Sequence, residues 1–254
     1  MKTPQTTLSF VVPVFDERDT LTPLAEGIVA NVGLGEHHIV FVDDGSTDGS
    51  YEVMCGLHER FSTVDVVRLK RHLGKAAALA AGFARSRGEL LFTMDADLQD
   101  DPKEIPRFLD KIQEGYDLVI GWKRARCEAW HKALASRIFN RLVARMFHLP
   151  LHDVNSGYKL FRREVIEDIP TRDGLYRLFP VLAAHKGYRV AEISVDHHPR
   201  RYGRSKFGIE RAFSGAFTIL RVWAALKIGL GRQRLLQTLT ADDVAAFIVE
   251  EHCH

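Results

Sequence analysis

Residues 38–46, HIVFVDDGS, decide the fold class, because an apolar β-branched run ends there in two aspartates and a glycine. Residues 90–97, LLFTMDAD, repeat this arrangement of an apolar run followed by carboxylates. Continuous apolar runs are typical of parallel strands that are buried on both faces of a sheet. Ligands of such sheets bind beyond the carboxyl ends of the strands. Both acidic turns are therefore predicted to face one crevice.

Strand-like and helix-like segments alternate on both sides of these runs, which indicates βαβ units in a doubly wound α/β domain. The alanine-rich segment 75–86, which is followed by Gly88, predicts a helix between two of the strands. The other predicted strands are 8–14, 64–69, 117–120 and 190–197, and the other predicted helices are 19–31 and 102–114.

Positive charge accumulates after residue 121, although the whole chain is nearly neutral, with 35 Lys and Arg against 33 Asp and Glu. Between residues 123 and 145 there are seven Lys or Arg residues and one acid. Leu134, Ile138, Leu142 and Met146 recur every four residues in and just after this segment, which predicts a basic amphipathic helix. Such a helix suits an anionic membrane surface. A nucleic-acid partner is not expected, because interleaved aromatics and an RNA-binding motif are missing.

The C-terminal part contains a second basic cluster, at residues 200–206. A long amphipathic helix is predicted at 209–228, and a short capped helix is predicted from Thr240 onward. No apolar run approaches the roughly 20 residues of a membrane span. The N-terminus lacks the apolar segment of a signal peptide. We therefore expect a cytoplasmic protein that lies peripherally on a membrane.

The cysteines support the same location. Cys55, Cys127 and Cys253 are odd in number and widely spaced. This pattern fits a reducing compartment better than a disulfide framework.

Asp95 and Asp97 form an Asp-x-Asp pair directly after an apolar strand. Two hard oxygen donors on one turn suit Mg²⁺ or Mn²⁺ that is also held by substrate phosphates. Gln99 can add a further oxygen ligand, directly or through water. One of Asp100 and Asp101 is expected to cap the helix that begins at Pro102.

Five motifs together resemble the inverting glycosyltransferases of family 2, and within them the dolichyl- or polyprenyl-phosphate sugar synthases. The resemblance covers about residues 8–210. It implies an α/β, Rossmann-like GT-A fold with a mostly parallel central sheet and C-terminal amphipathic helices. The domain limits would be 1–210 for the GT-A domain and 211–254 for the membrane-associating helices. The motifs are PVFDE (13–17), VDDGSTDGS (42–50), MDADLQDDP (94–102), DVNSGYKLFRREV (153–165) and RRYGRSKFG (200–208).

The resemblance also implies roles for individual residues. A first group would bind the nucleotide sugar, with the metal held by Asp95, Asp97 and Gln99. Lys132 and Ser136 would bind the lipid phosphate, and the catalytic set would be Asp97, Lys123, Lys132 and Arg200. Lysine at 123 and 132 lacks the planar fork of arginine, so Arg124, Arg126 or Arg137 are alternatives there. The nucleotide-sugar group comprises Pro13, Phe15, Glu17, Val42, Asp44, Asp95, Ala96, Asp97, Lys123, Arg200 and Lys206.

The implied activity is inverting transfer of a hexose from GDP-mannose or UDP-glucose to polyprenyl or dolichyl phosphate. A phosphate acceptor is already largely an anion at neutral pH and needs no protein base. A membrane-anchoring partner or a homo-oligomer is compatible with this interpretation. One alternative is a family 2 enzyme that glycosylates a glycan or another hydroxyl, with Asp153 as the base rather than a residue that shapes the acceptor loop. Another is a non-catalytic nucleotide-sugar-binding subunit.

Overall fold

The computed structural model describes residues 7–33, 36–124, 130–169, 175–199, 219–224, 226–227, 248–249 and 253, without the side chains of residues 130–136, 139 and 248–249. Strands and helices alternate along most of this part of the chain. The strands are β1 (Leu8–Val14), β2 (His37–Asp43), β3 (Val64–Leu69), β4 (Leu90–Thr93), β5 (Leu118–Lys123), β6 (Lys159–Arg162), β7 (Val190–Val195) and β8 (Ile248–Val249). The α-helices are α1 (Arg18–Asn31), α2 (Ser50–Arg60), α3 (Lys75–Arg85), α4 (Ile105–Gln113), α5 (Trp130–Phe147), α6 (Arg163–Asp168) and α7 (Phe179–His185). Single turns of 3₁₀ helix lie at Pro102–Glu104 and Leu175–Leu178.

The strands form one eight-stranded sheet in the order β7-β5-β6-β4-β1-β2-β3-β8. The pairs β4–β1, β1–β2, β2–β3 and β5–β7 are parallel, as expected from their continuous apolar runs. Strand β6 runs antiparallel between β4 and β5. The sheet is therefore mostly parallel, and β1, β2, β4 and β5 end at the same edge.

Apolar clusters cover both faces of the sheet. On one face Phe92 packs against Phe108 and Tyr158, with ring centroids 4.9 and 5.1 Å away. The other face is covered in part by the alanines of α3, which pack on Val40 and Val42 of β2. Burial of this much apolar surface holds the strand ends in place.

Several sequence expectations are corrected by the structure. The helix predicted from residue 123 begins at Trp130, because residues 118–123 continue as strand β5. The sequence patterns did not predict α2, β6, α6 or α7. Within the predicted helix 209–228, the structure describes residues 219–224 and 226–227, and these are helical. The rest of this helix lies outside the described residues, as does the predicted domain boundary at residue 210.

One expectation about the C-terminal part of the chain is wrong, and another lies mostly outside the described residues. Residues 240–247, where the short capped helix is predicted to begin, are not described, and Ile248–Val249 form a strand that pairs antiparallel with β3. Cys253 is joined to Cys55 of α2 by a disulfide, where no disulfide was expected. The two cysteines are 198 residues apart, so only the fold brings them together.

Candidate active site

The turns after β1 and β2 are joined at the ligand edge of the sheet. Pro13 lies opposite Val42 in the register of the two strands, and the Asp44 backbone N–H donates to the Val14 carbonyl oxygen over 2.8 Å. Val42 itself is fully buried. The structure therefore brings Pro13, Val42 and Asp44 together at this edge of the sheet.

Asp44 holds the loop that precedes α3. Its buried carboxylate accepts hydrogen bonds from the backbone N–H groups of Leu73, at 2.7 Å, and Gly74, at 2.9 Å, and it lies 3.0 Å from His72. Burial raises the pKa of the Asp44 carboxyl, although these donors and His72 oppose the shift. The ring of His72 also stacks on Phe15, with centroids 4.1 Å apart. Asp44 and this aromatic pair thus line one part of the edge.

The turn that follows β1 is fastened to the turn that follows β2. Asp16 has a positive φ of 48°, and its backbone N–H donates to Ser46 Oγ over 3.0 Å. The Glu17 N–H donates to Ser50 Oγ over 2.9 Å. These bonds use backbone donors, so they position Glu17 while its carboxylate remains half-buried at the edge.

Asp95, which follows β4, forms an ion pair with Lys75, the first residue of α3. Burial alone would raise the pKa of the Asp95 carboxyl, but Lys75 and Lys123 outweigh burial and lower it to about 2. In the same pair, burial would lower the pKa of Lys75, and Asp95 raises it above the ordinary value. Asp95 is therefore a carboxylate at every physiological pH.

Lys123, at the end of β5, pairs with Asp100. The Lys123 Nζ and Asp100 Oδ1 atoms are 2.6 Å apart, and the Asp100 side chain is fully buried. Burial would lower the pKa of Lys123, but Asp100 and Asp95 raise it. Asp101 caps the 3₁₀ turn at Pro102 by accepting from the Lys103 N–H, which confirms that one of the two aspartates is a cap.

The predicted metal ligands occupy the turn between β4 and the 3₁₀ helix. Asp97 is 8% exposed, and its Oδ1 accepts from the Gln99 backbone N–H over 3.2 Å. The Gln99 side-chain amide donates to the His198 carbonyl oxygen over 3.3 Å. No group of three His, Cys, Asp or Glu side chains in the described part of the chain is arranged to hold a metal ion. Two carboxylate side chains on one turn nevertheless suit Mg²⁺ or Mn²⁺, since these ions complete their shells with waters and substrate phosphates.

Gly157 leaves room for the Lys75–Asp95 pair. A Cβ atom at this position would lie 2.9 Å from Asp95 Oδ2 and 3.0 Å from Lys75 Nζ. The first distance is shorter than real Cβ atoms show, so a side chain would have to shift. The turn is held to β4 by a 2.7 Å hydrogen bond from Thr93 Oγ1 to the Gly157 carbonyl oxygen.

The remaining predicted residues are not placed by the structure. Lys132 and Ser136 belong to α5, but their side chains are not described. Arg200 and Lys206 lie wholly outside the described residues. Two lysines at the site were missed by the sequence analysis, Lys75 and Lys159. Lys75 had a local signal, because a cation at a helix N-terminus opposes the helix dipole.

The chain resembles proteins of known function over most of its length. It is 34% identical over 227 residues to dodecaprenyl-phosphate galacturonate synthase of Rhizobium johnstonii, covering 85% of this chain and 66% of the relative. It is 36% identical over 205 residues to undecaprenyl-phosphate 4-deoxy-4-formamido-L-arabinose transferase of Edwardsiella ictaluri, covering 80% of this chain and 63% of the relative. The chain thus spans slightly less than two thirds of the length of these relatives.

The fold is similar to that of glucosyl-3-phosphoglycerate synthase from Mycobacterium tuberculosis. Its complex with phosphoglyceric acid superposes with a TM-score of 0.65 at 18% identity, covering 87% of this chain and 80% of that one. Its complex with Mn²⁺, UDP-glucose and phosphoglyceric acid gives a TM-score of 0.64 at 18% identity, covering 87% and 79%. This likeness confirms the GT-A fold. Residues 9–170 match the family described as Glycosyl transferase family 2, and the chain therefore belongs to glycosyl transferase family 2.

Proposed function

We propose that this protein transfers a sugar from a nucleoside diphosphate sugar to a polyprenyl phosphate, with inversion at the anomeric carbon. Two kinds of observation support this proposal. The relatives are named as polyprenyl-phosphate sugar synthases and transferases. The carboxylates and lysines at the strand ends suit a ligand that carries phosphates.

The donor would lie across the ends of β1, β2 and β4. The nucleoside is assigned to Pro13, Phe15, Glu17, Val42 and Asp44, and Pro13, Val42 and Asp44 lie together at the ends of β1 and β2. The diphosphate is assigned to the turn of Asp95, Ala96 and Asp97 and to Lys123. Arg200 and Lys206 would close over it, as the family resemblance implies.

A divalent cation, Mg²⁺ or Mn²⁺, would be held by Asp95, Asp97 and Gln99. When bound, it would offset the negative charge that develops on the diphosphate leaving group. The ionised state of Asp95, held by Lys75 and Lys123, keeps this carboxylate ready to serve as a ligand. The structural neighbour that contains UDP-glucose also contains Mn²⁺.

The reaction needs no proton transfer from the acceptor. A phosphate oxygen of the lipid attacks the anomeric carbon as the bond from that carbon to the diphosphate oxygen breaks, and the nucleoside diphosphate leaves as an anion. The lipid phosphate has a second pKa near ~6, so it is mostly dianionic at neutral pH. The protein must instead hold two repelling phosphates together, and Lys123, Lys132 and Arg200 are assigned to this role.

One observation carries the choice of a lipid acceptor: the exposed face of α5 combines apolar side chains with arginines. Ile138 and Leu142, one turn apart, are 61% and 51% exposed. Arg137, Arg141 and Arg145 are exposed beside them, and none pairs with a carboxylate of the described residues. Such a face suits the surface of an anionic bilayer.

We place the protein peripherally on the cytoplasmic face of a membrane, where anionic lipids are concentrated. Among the described residues no helix is long and apolar enough to cross a bilayer. A membrane-anchoring partner or a second copy would strengthen this attachment.

A hydroxyl acceptor would require a base, and Asp153 is the alternative candidate. The buried Asp153 carboxylate accepts from Asn140 Nδ2 over 3.2 Å, and its backbone N–H donates to Glu192 Oε1 over 2.8 Å. These bonds connect α5, the turn after it and β7. They favour a role for Asp153 in shaping the acceptor loop.

The test is an assay with a panel of radiolabelled nucleotide sugars, vesicles that contain polyprenyl phosphate, and Mn²⁺ or Mg²⁺. Label from one donor should enter an organic-phase lipid and be released by mild acid. A parallel reaction without polyprenyl phosphate is the control. Absence of lipid-linked label with every donor would refute the proposal. Binding of a donor without transfer to any acceptor would favour a non-catalytic subunit.

A further inference from the structure

Strand β6 brings a third lysine to the edge where the parallel strands end. Lys159, the first residue of β6, lies opposite Thr93 of β4 and Ile120 of β5 in the strand register. Because β6 is antiparallel, its beginning meets the carboxyl ends of its two neighbours. Lys159 therefore lies between the strand that leads to Asp95 and the strand that carries Lys123.

The surroundings of Lys159 differ from those of the other two lysines. Lys75 pairs with Asp95, and Lys123 pairs with Asp100. Lys159 is 6% exposed, and within the described part of the chain it donates to the Ser156 backbone carbonyl oxygen alone. No carboxylate of the described residues forms an ion pair with it. The site thus contains a buried ammonium group whose direct partner is neutral.

A buried cation without a contacting anion is unfavourable, because desolvation is not offset by a close opposite charge. Burial and the neighbouring Lys75 lower the pKa of the Lys159 ammonium group to about 7, although Asp153 and Asp95 oppose the shift. An anion bound among Lys75, Lys123 and Lys159 would offset the desolvation of the Lys159 ammonium group and the repulsion between the lysines. The ligands expected at this edge of the sheet carry phosphates.

We propose that the Lys159 ammonium group binds a phosphate oxygen of the reacting ligands, as a third cation beside Lys75 and Lys123. This inference rests on the proposed function only for the source of the phosphate, which is either the nucleoside diphosphate or the lipid phosphate. Lys159 would then lower the repulsion between the nucleoside diphosphate and the lipid phosphate. A merely structural lysine would instead hold the turn through Ser156 and would not change phosphate affinity.

The test compares the wild-type chain with Lys159→Met, Lys159→Arg and a control, Lys186→Met. Methionine keeps most of the apolar stem and removes the buried charge, so the variant is expected to fold. Lys186 lies away from the site and pairs with Asp168 over 3.5 Å. Thermal unfolding establishes that each variant is folded.

Calorimetric titration at pH 7.0 with UDP, GDP and inorganic pyrophosphate, each with Mn²⁺, forms the first arm. The second arm is the KM for polyprenyl phosphate in vesicles. We expect Lys159→Met to weaken either the affinity for the diphosphate probes or the apparent affinity for polyprenyl phosphate by at least about tenfold. Lys159→Arg should recover part of this loss, and Lys186→Met should show no change. A loss in the first arm assigns Lys159 to the diphosphate, and a loss in the second assigns it to the lipid phosphate.

Two results would overturn the inference: values for folded Lys159→Met within twofold of wild type in both arms, or no binding of any probe by the wild-type chain. The first arm needs no turnover. If Lys159 controls diphosphate binding but no lipid product forms with any donor, the inference stands and the proposed function fails.

Discussion

The two concentrations of positive charge in this chain differ in what surrounds each cation. At the strand ends, Lys75 and Lys123 are in contact with carboxylates in a largely buried setting. On α5, Arg137, Arg141 and Arg145 are exposed and alternate with exposed apolar side chains. A paired, buried ammonium has a defined position, whereas an exposed guanidinium adapts to a fluid surface. Cationic side chains therefore suit fixed phosphates in one region and a bilayer in the other.

The largest effect is expected from removing a predicted metal ligand of the strand-end cluster. Asp97→Ala should lower the transfer rate by at least about a hundredfold, because the charge on the leaving diphosphate loses its main counterweight. The rate is measured under saturating Mn²⁺. The matched control is Asp101→Asn, a carboxylate of the same loop whose capping bond asparagine can also make, and it should stay within twofold of wild type. An active Asp97→Ala enzyme would remove the metal assignment.

The buried cation Lys159 should make stability depend on pH. Its pKa of about 7 lies below that of an unfolded lysine, so the unfolded chain binds more protons between about pH 7 and pH 10. The free energy of unfolding should therefore rise with pH from 7.0 to 9.0, by at most about 1.4 kcal/mol per pH unit from this group. Urea denaturation at both pH values measures it. Lys159→Met should abolish that increment, and an unchanged slope would show that Lys159 is charged in the fold.

Gly157→Ala tests how tightly the strand-end cluster is packed. The added Cβ would meet Asp95 Oδ2 and Lys75 Nζ, so the pair must shift. We expect about a tenfold loss of transfer rate, since small displacements of catalytic groups are costly. Gly56→Ala in α2 is the control, because a Cβ there meets nothing within 4 Å. The control should keep full activity and gain up to about 1 kcal/mol of stability.

The smallest effect is expected on the exposed face of α5. Arg141→Ala should weaken binding to vesicles with anionic lipid by about fivefold, because each arginine near such a surface contributes about 1 kcal/mol. Vesicle sedimentation measures it. High salt should reduce the difference, since exposed charges are screened. Arg60→Ala, an exposed arginine of α2 that pairs with Glu26, serves as control and should bind like wild type. Equal binding by Arg141→Ala and Arg60→Ala would contradict the assignment of this face.

Much of the sheet could be predicted because its signals are local. The runs that form β1, β2, β3 and β4 are apolar and β-branched, and their burial follows directly from composition. Strand β6 was missed because its four residues contain two cations, Lys159 and Arg162, and its partners lie far away in the chain. Helix α2 was missed because it buries only Ser50, Met54 and Leu57, too few for a clear amphipathic pattern.

The acidic turns of the site were predictable for the same reason, since a carboxylate directly after an apolar strand is visible in sequence. The pairing of each lysine with a particular carboxylate could not be predicted from the sequence. Lys75 and Asp95 are 20 residues apart, and Lys159 joins them through pairing with both β4 and β5. The disulfide between Cys55 and Cys253 is a further contact of this kind.

The sequence by itself determined the class of sheet and the oxygen donors that stand at the carboxyl ends of its strands, because apolar periodicity and residue chemistry are local properties. Only the tertiary structure decided that Asp95 and Asp100 each have a lysine partner while Lys159 contacts no carboxylate of the described residues. That outcome depends on an antiparallel strand inserted between two strands of the sheet. Backbone hydrogen bonds between distant segments set its register, and residue spacing does not encode them.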